Sequence, residues 1–215
     1  PKDYNWESLT LLKGADLETH YSKILRELGR QKGILGQVFT KSQNKIQDPA
    51  KLFKLIDMID KEKWSIMGTD IKGQIYEGLL EKNAEDTKSG AGQYFTPRPL
   101  IQVMVECLAP EPGKTIADPA CGTGGFFLAA FDYIVNNHKL NTDQKKHLKY
   151  NTFSGNEIVA NTRRLCLMNL FLHNIGDIDS ENVISPNDSL VADPGSRYDY
   201  ILTNPPFGKK SSMTF

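Results

Sequence analysis

Residues 115–127 read TIADPACGTGGFF, an apolar run that ends at Asp118 and passes through a glycine-rich turn into a second apolar segment. This order is typical of a β-strand that leads into the helix of a βαβ unit. Glycines in such a turn let the backbone approach a ligand closely and present amide groups at the start of the helix. The stretch therefore predicts a ligand-binding unit, with a purely structural turn as the alternative.

The turn differs from two familiar nucleotide-binding motifs. After Gly122 and Gly124, the third glycine position of the dinucleotide fingerprint holds Phe127, and no Gly-Lys-Ser/Thr sequence of a P-loop follows. A nicotinamide-dependent enzyme is therefore disfavoured. Asp118, at the end of the predicted strand, is instead suited to receive a cationic group, such as the ammonium of an amino-acid moiety.

Strand-like and helix-like segments alternate from residue 115 onward. Such alternation predicts βαβ units on a parallel sheet and therefore an α/β fold. Ligands of open parallel sheets bind at the carboxyl ends of the strands, where the polar motifs of this chain fall. The predicted order is strand 115–118, helix 125–135, a longer connection that includes 141–150, strand 152–156, helix 159–172 and strand 198–203.

The first ninety residues have a helical pattern, in which apolar side chains recur every three or four positions. Ser89-Gly90-Ala91-Gly92 then suits a flexible joint, so we predict a helical domain at 1–90 and a second domain at 91–215. Three apolar stripes are expected to form core: Leu17, Tyr21, either Ile24 or Leu25, and Leu28; Leu52, Leu55, Ile56 and Ile59; and Ile71, Ile75 and Leu79 with Tyr76 and Leu80.

Two acidic residues follow the predicted sheet motifs. Glu157 stands directly after the second strand, where an acid can accept hydrogen bonds from a ribose diol, although it lies further from Asp118 than the dinucleotide fingerprint requires. Asp188, in the sequence Asn187-Asp188-Ser189-Leu190, is suited to an adenine amino group, and a plain turn is the equal alternative.

The last predicted strand delivers Asn204-Pro205-Pro206-Phe207. Two prolines cannot continue a strand, so they fix a rigid turn beside an aromatic ring. An exocyclic amine is a poor nucleophile because its lone pair is delocalised into the ring. Acceptors at its two N–H bonds, here the Asn204 side-chain oxygen and the Pro205 carbonyl, would favour a tetrahedral and more nucleophilic nitrogen while Phe207 stacks on the base.

These motifs carry a specific resemblance. Residues 118–126 and 204–207 resemble the cofactor and catalytic loops of S-adenosylmethionine-dependent DNA adenine methyltransferases, and residues 89–100, SGAGQYFTPRPL, resemble the modification subunit of Type I restriction–modification systems. The motif order resembles that of the gamma group of amino-methyltransferases. The resemblance implies an incomplete Rossmann-like methyltransferase core after a helical domain, and methyl transfer to the adenine amino group in DNA.

The resemblance also assigns roles to residues and partners. It implies that Gln93, Tyr94, Phe95, Thr96 and Pro97 hold the methionine end of the cofactor, that Asp118, Cys121, Gly122, Thr123 and Gly124 line its body, and that Glu157 and Asp188 hold its ribose and adenine. Asn204, Pro205, Pro206 and Phe207 would hold the target base. Cys121 is not expected to be a covalent nucleophile. The implied partners are double-stranded DNA with a flipped adenine, a specificity subunit and, where one exists, a restriction subunit.

Two other functions remain open from the sequence. A protein glutamine methyltransferase also presents an Asn-Pro-Pro-aromatic loop to a planar amide nitrogen. A non-catalytic assembly module with a truncated methyltransferase core is the second alternative. Because the chain begins with Pro1 and ends at Phe215, shortly after the last motif, we expect a fragment of a longer product.

Composition, charge and apolar run length limit the partners, structural sites and location that the sequence predicts. Lys and Arg total 26 and Asp and Glu total 26, a net charge of +0, so composition alone does not predict a nucleic-acid partner. The 3 cysteines lack ligand spacing, so neither a disulfide framework nor a metal site is expected. The longest apolar run, 126–131, is too short to cross a bilayer, and no signal-peptide pattern opens the chain. We place the protein in the cytoplasm, with no membrane partner.

Overall fold

A computed structural model describes residues 4–64, 66–86, 96–178, 183–193 and 195–206. Its helices are α1 (Trp6–Thr10), α2 (Gly14–Leu28), α3 (Gly33–Phe39), α4 (Pro49–Asp60), α5 (Thr69–Asp86), α6 (Arg98–Leu108), α7 (Gly125–Asn137), α8 (Thr142–Tyr150) and α9 (Ala160–Leu172). Its strands are β1 (Ile116–Asp118), β2 (Phe153–Asn156), β3 (Ile184–Ser185) and β4 (Tyr200–Ile201).

The strands of the described residues form one parallel sheet in the order β3-β2-β1-β4. In β1, Ile116 pairs with Phe153 of β2 on one side and with Tyr200 of β4 on the other. The predicted α/β class and its three strands are confirmed, although β4 is shorter than the predicted segment. The edge strand β3 was not predicted, because a two-residue pairing leaves no periodic pattern in the sequence.

The larger core lies between the sheet and its helices. Phe127 of α7 is fully buried, and its ring centroid lies 5.4 Å from that of Phe153 in β2. Ile116 of β1, Ile134 of α7 and Leu170 of α9 are equally inaccessible to solvent. Helix α6 packs against α7, while α3 and α5 pack against α9. The apolar strands and the helices that follow them therefore enclose one continuous core.

A second, smaller core joins α1, α2 and α4. It is built from buried aliphatic residues of these three helices, Leu9, Leu17, Ile24, Leu52 and Ile56. Helix α3 does not share it, because Ile34 belongs to the larger core and its backbone amide donates to the Ile178 carbonyl at 3.2 Å. The proposed domain boundary near residue 90 lies outside the described residues and stays a prediction.

The third apolar stripe forms core only in part, because Leu80 is buried but the expectation was wrong for Ile71, Ile75 and Leu79. Ile71, Ile75 and Leu79 are 49%, 41% and 54% exposed on α5. Another face of α5 packs against α9, with Gly73 so close to His173 that a Cβ would lie 2.5 Å from the ring. Both faces of α5 carry apolar residues, so periodicity could not select the one that packs.

Helices α4 and α8 begin with side-chain caps. Asp48 accepts a hydrogen bond from the Ala50 amide at 2.9 Å, with Pro49 in the first turn of α4. Asn141 and Gln144 form a reciprocal capping box, so the connection 141–150 contains helix α8. Within the described part of the chain, no helix has the length and apolar character of a membrane span.

Truncation of Phe127 tests the larger core. Phe127→Ala removes a ring that is 0% exposed and leaves a cavity between α7 and β2. We expect a loss of about 3–5 kcal/mol in the free energy of unfolding, measured by urea denaturation. The matched control is Val135→Ala on the same helix, where the side chain is 44% exposed and the loss should stay below about 1 kcal/mol. Equal losses in the two variants would contradict the assigned core.

Candidate functional site

The carboxyl ends of three adjacent strands bring the main predicted site residues to one edge of the sheet. Asp118 ends β1, Glu157 follows β2 and Asn204 follows β4. The Leu202 amide donates to the Ala117 carbonyl at 3.0 Å, which continues the pairing of β1 and β4 toward the site. The sheet topology therefore groups side chains that lie far apart in the sequence.

Asp118 is a buried acid at the centre of this edge. It is 1% exposed, and its Oδ1 accepts a hydrogen bond from the Ala120 amide at 3.0 Å. Burial raises the pKa of Asp118 to about 6, the charge of Glu157 adds to this, and the Thr203 hydroxyl and the Ala120 amide oppose it. No ion pair among the described residues compensates the carboxylate. The carboxylate of Asp118 is thus a buried negative charge that a cationic ligand group would stabilise.

The glycine turn after β1 has one open side and one closed side. Gly122 and Gly124 have φ angles of 56° and 85°, in the left-handed region that favours glycine. A Cβ at Gly122 would meet nothing within 4 Å, whereas one at Gly124 would lie 3.0 Å from Sγ of Cys166 in α9. Gly122 therefore leaves room for a ligand, while Gly124 lets the turn pack closely on α9.

Polar side chains outside the motifs hold this turn in place. Asn169 of α9 is 0% exposed, and its Nδ2 donates to the Thr123 carbonyl at 3.0 Å. The Ser189 hydroxyl donates to the Pro119 carbonyl at 2.8 Å. Sequence reasoning missed both residues. An amide within the apolar run Cys166-Leu167-Met168-Asn169-Leu170-Phe171 was the one available signal, because a buried polar group requires a partner.

Cys121 contributes its backbone to the turn. Its amide donates to the Asn156 carbonyl at 3.0 Å, which ties the turn to the end of β2. Its thiol is buried, and contact with the Cys166 thiol together with burial raises its pKa. A thiol with a raised pKa is a poor nucleophile. This geometry agrees with the expectation that Cys121 is not a covalent catalyst.

Glu157 connects the end of β2 to the glycine turn. Its Oε1 accepts a hydrogen bond from the Val159 amide at 2.7 Å, and the Gly122 amide also bonds to the carboxylate. Burial raises the pKa of Glu157, while these amides and the nearby Arg163 lower it. The predicted ribose-binding acid is thus half-buried and fixed in orientation next to Gly122.

Asp188 lies in a turn next to the same edge. Its Oδ1 accepts a hydrogen bond from the Leu190 amide at 2.9 Å, which is the turn geometry that the sequence allowed as an alternative. The neighbouring Asn187 carbonyl accepts from Asn156 Nδ2 at 3.1 Å. The turn is therefore attached to β2, and with Ser189 it lies beside the glycine turn.

The described part of the predicted catalytic loop contacts the segment before α6. Asn204 is half-buried, and its Nδ2 donates to Oγ1 of Thr96 at 3.1 Å. Pro205 and Pro206 are exposed, and Pro97 precedes the first turn of α6. The remaining predicted site residues, Gln93, Tyr94, Phe95 and Phe207, lie outside the described residues.

Comparison with known proteins identifies the family. A family model described as N-6 DNA Methylase matches residues 67–214. The chain belongs to this family. The match includes the glycine turn, Glu157, Asp188 and Asn204, so the resemblance that the motifs predicted is confirmed.

Methylase subunits of Type I restriction enzymes are similar to this chain over nearly its whole length. The chain is 38% identical to the Type I restriction enzyme StySJI methylase subunit of Salmonella typhimurium, over 97% of this chain and 42% of that protein. It is 37% identical to the EcoKI methylase subunit of Escherichia coli over the same shares. The chain therefore spans less than half the length of these relatives.

Solved structures support the Rossmann-like methyltransferase fold. A modification subunit of a type I restriction enzyme from Vibrio vulnificus matches with a TM-score of 0.70 and 27% identity, covering 88% of this chain and 41% of that one. A type I methyltransferase subunit from Streptococcus thermophilus matches with a TM-score of 0.72 and 21% identity, over 99% of this chain and 46% of that one. The latter likeness concerns the fold alone.

Neutralising Asp118 should stabilise the protein at neutral pH. Its pKa is about 6 in the folded protein, above the usual 3.8, so its ionisation opposes folding once the pH exceeds the unfolded value. We expect Asp118→Asn to raise the free energy of unfolding at pH 7.5 by roughly 1–3 kcal/mol. The gain should shrink as the pH falls through 6 toward 4, as measured by urea denaturation across this range.

Asp199→Asn provides a control of opposite sign. Hydrogen bonds from the Thr115 amide and hydroxyl and from Lys114 lower the pKa of Asp199 to about 2. Its stabilising contribution is present above the unfolded pKa and is lost as the pH falls toward 2. Asp199→Asn should therefore destabilise the protein at pH 7.5. Unchanged stability of Asp118→Asn at that pH would contradict the assigned burial of the acid.

Proposed function

We propose that this chain transfers a methyl group from S-adenosylmethionine to the exocyclic amino group of adenine in DNA, within a restriction–modification complex. The observation that carries the proposal is the meeting of Asp118, the glycine turn, Glu157 and Asn204 at one sheet edge of an N-6 DNA methylase family member. A cofactor site and a base-binding loop then lie side by side, as group transfer between two bound molecules requires.

The residues of the site fit the proposed cofactor. The uncompensated carboxylate of Asp118 suits the ammonium of the methionine moiety, and the space beside Gly122 admits a ligand to the backbone. Glu157 would accept hydrogen bonds from the ribose diol and Asp188 from the adenine amino group. Cys121, Thr123 and Gly124 would complete the wall of the site. When bound, S-adenosylmethionine supplies an activated methyl group.

The proposed binding of the target base depends on the Asn204 loop. The Asn204 side-chain oxygen and the Pro205 carbonyl would accept the two N–H bonds of the adenine amine and favour a nucleophilic nitrogen. Pro206 holds the loop rigid and Phe207 would stack on the base. An adenine can reach these groups only after it has left the helical stack, so we propose that the base is flipped.

The partners follow from the same proposal. The relatives are methylase subunits of Type I restriction enzymes, which supports DNA, a specificity subunit and, where encoded, a restriction subunit as partners. Cellular DNA as substrate supports a cytoplasmic site of action. The glutamine methyltransferase alternative has no support among these relatives, and no observation favours a purely structural role.

Two alanine variants separate cofactor binding from chemistry. Asp118→Ala removes the partner of the ligand ammonium, so affinity for S-adenosylmethionine should fall by an amount equivalent to about 1.5–3 kcal/mol. Asn204→Ala should leave that affinity nearly unchanged but lower methyl transfer by about 100-fold or more, because one preorganised polar group is lost from the reaction site. Calorimetry measures the affinity, and detection of N6-methyladenine in cognate DNA measures the transfer.

The assay uses the longest gene product that contains this chain, assembled with its specificity subunit. Lys146→Ala, an exposed change on α8 before the amino end of β2, is the control and should affect neither quantity. Label that appears on glutamine side chains of proteins, with none in DNA, would replace the proposed function by its alternative. Loss of cofactor affinity in Asn204→Ala equal to that in Asp118→Ala would overturn the division of the site.

A further inference from the structure

A hydrogen bond joins Thr96 to Asn204 across 108 positions of sequence. Nδ2 of Asn204 donates to Oγ1 of Thr96 at 3.1 Å, and both side chains are half-buried. Thr96 belongs to the segment that the sequence resemblance assigns to the methionine end of the cofactor. In the structure its hydroxyl instead contacts the amide of the base-binding loop.

The contact matters because the two ends of an amide have opposite hydrogen-bonding roles. The oxygen accepts and the nitrogen donates, and rotation by a half-turn exchanges them. A target amine presents N–H bonds, so Asn204 must offer its oxygen; its own NH₂ group in that place would oppose two donors. With Nδ2 bound to Thr96, Oδ1 lies at the other end of the amide, away from the hydroxyl.

We propose that Thr96 is a positioning residue whose hydroxyl accepts a hydrogen bond from Nδ2 and holds the Asn204 amide in place, so that the side-chain oxygen is available to the target amine. This inference rests on the proposed function, and it adds a role on the base side for a residue expected to serve the cofactor. Thr96 acts through Asn204 and does not itself contact the reacting nitrogen.

The surrounding structure holds both partners in place. Thr96 precedes Pro97 and Asn204 precedes Pro205, and a following proline restricts the backbone of each residue to extended conformations. Helix α6 begins directly after Pro97 and buries Ile101 and Val105 in the larger core. Leu202, two residues before Asn204, is buried in the same core. The two side chains are therefore positioned without help from a ligand.

Substitutions that separate shape from hydrogen bonding test this role. Thr96→Val keeps the branched shape but lacks the hydroxyl, whereas Thr96→Ser keeps the hydroxyl. In the assembled full-length enzyme we expect Thr96→Val to lower kcat by about tenfold, the size typical of one lost hydrogen bond. The Kd of S-adenosylmethionine should stay within about twofold of wild type, and Thr96→Ser should restore most of kcat.

The double variant provides a readout that a merely structural role would not give. If Thr96 acts through Asn204, then Thr96→Val should cause little further loss of kcat in an Asn204→Ala background. A full additional tenfold loss there, or a weakened cofactor Kd with normal kcat in the single variant, would overturn the inference. Thermal unfolding of each variant identifies any loss of kcat that comes from misfolding. If Thr96→Val and Thr96→Ser showed equal shifts in melting temperature and equal losses of kcat, the positioning role would also be contradicted.

Wild-type activity distinguishes failure of the proposed role of Thr96 from failure of the proposed function. Methylation of DNA adenine by the wild-type enzyme with an unaffected Thr96→Val variant refutes the positioning role alone. Absence of adenine methylation in the wild-type complex refutes the proposed function and, with it, the role of Thr96.

Discussion

The parallel pairing of β1 with β2 and β4 is the constraint on which the site depends. Parallel strands end at the same edge of a sheet, so the residues that follow them must meet there. Asp118 is paired with Gly155 in β2, and the chain continues from β2 directly to Glu157. On the other side, the hydrogen bond from the Leu202 amide to the Ala117 carbonyl delivers Asn204 to the same place. The proposed cofactor-binding and base-binding groups are thus neighbours because their strands are adjacent.

Helix α9 is the support beneath this edge. Cys166 packs closely against the glycine turn at Gly124, and Asn169 donates a hydrogen bond to the Thr123 carbonyl. Close packing here depends on the absence of side chains at Gly124 and Gly155, since a Cβ at either position would lie 3.0–3.1 Å from neighbouring side-chain atoms. The turn is therefore held by packing and by a buried hydrogen bond before any ligand arrives, which reduces the ordering that binding would require.

The burial of acids at this edge has an energetic cost that is consistent with function. Asp118 and Glu157 both have raised pKa values because their carboxylates lose solvation, and the charge of Glu157 further raises the pKa of Asp118. A fold selected for stability alone would place amides or apolar groups there. Retained destabilising charges in a cleft are a common property of binding sites, because a ligand of opposite charge recovers the lost solvation.

The sequence by itself determined the fold class and the place of the main candidate site residues on the sheet. Asp118 ends a predicted strand, and Glu157 and Asn204 each follow one, so local pattern together with the rule of parallel sheets placed them at one edge. Local caps such as Asp48 were equally readable, because the donor and the acceptor lie within one helical turn. The family likewise followed from short motifs, since the chemistry requires particular residues at fixed spacing.

Tertiary structure decided which surfaces pack and which polar groups meet. Periodicity identified α5 as a helix and assigned both Ile71 and Leu80 to the core. Only the tertiary structure showed that Leu80 is buried and Ile71 exposed. The bonds from Asn169 to Thr123 and from Asn204 to Thr96 join positions 46 and 108 residues apart. No local pattern specifies such pairs, because a hydrogen bond depends on the distance between two atoms, and that distance is set only when the whole core has formed.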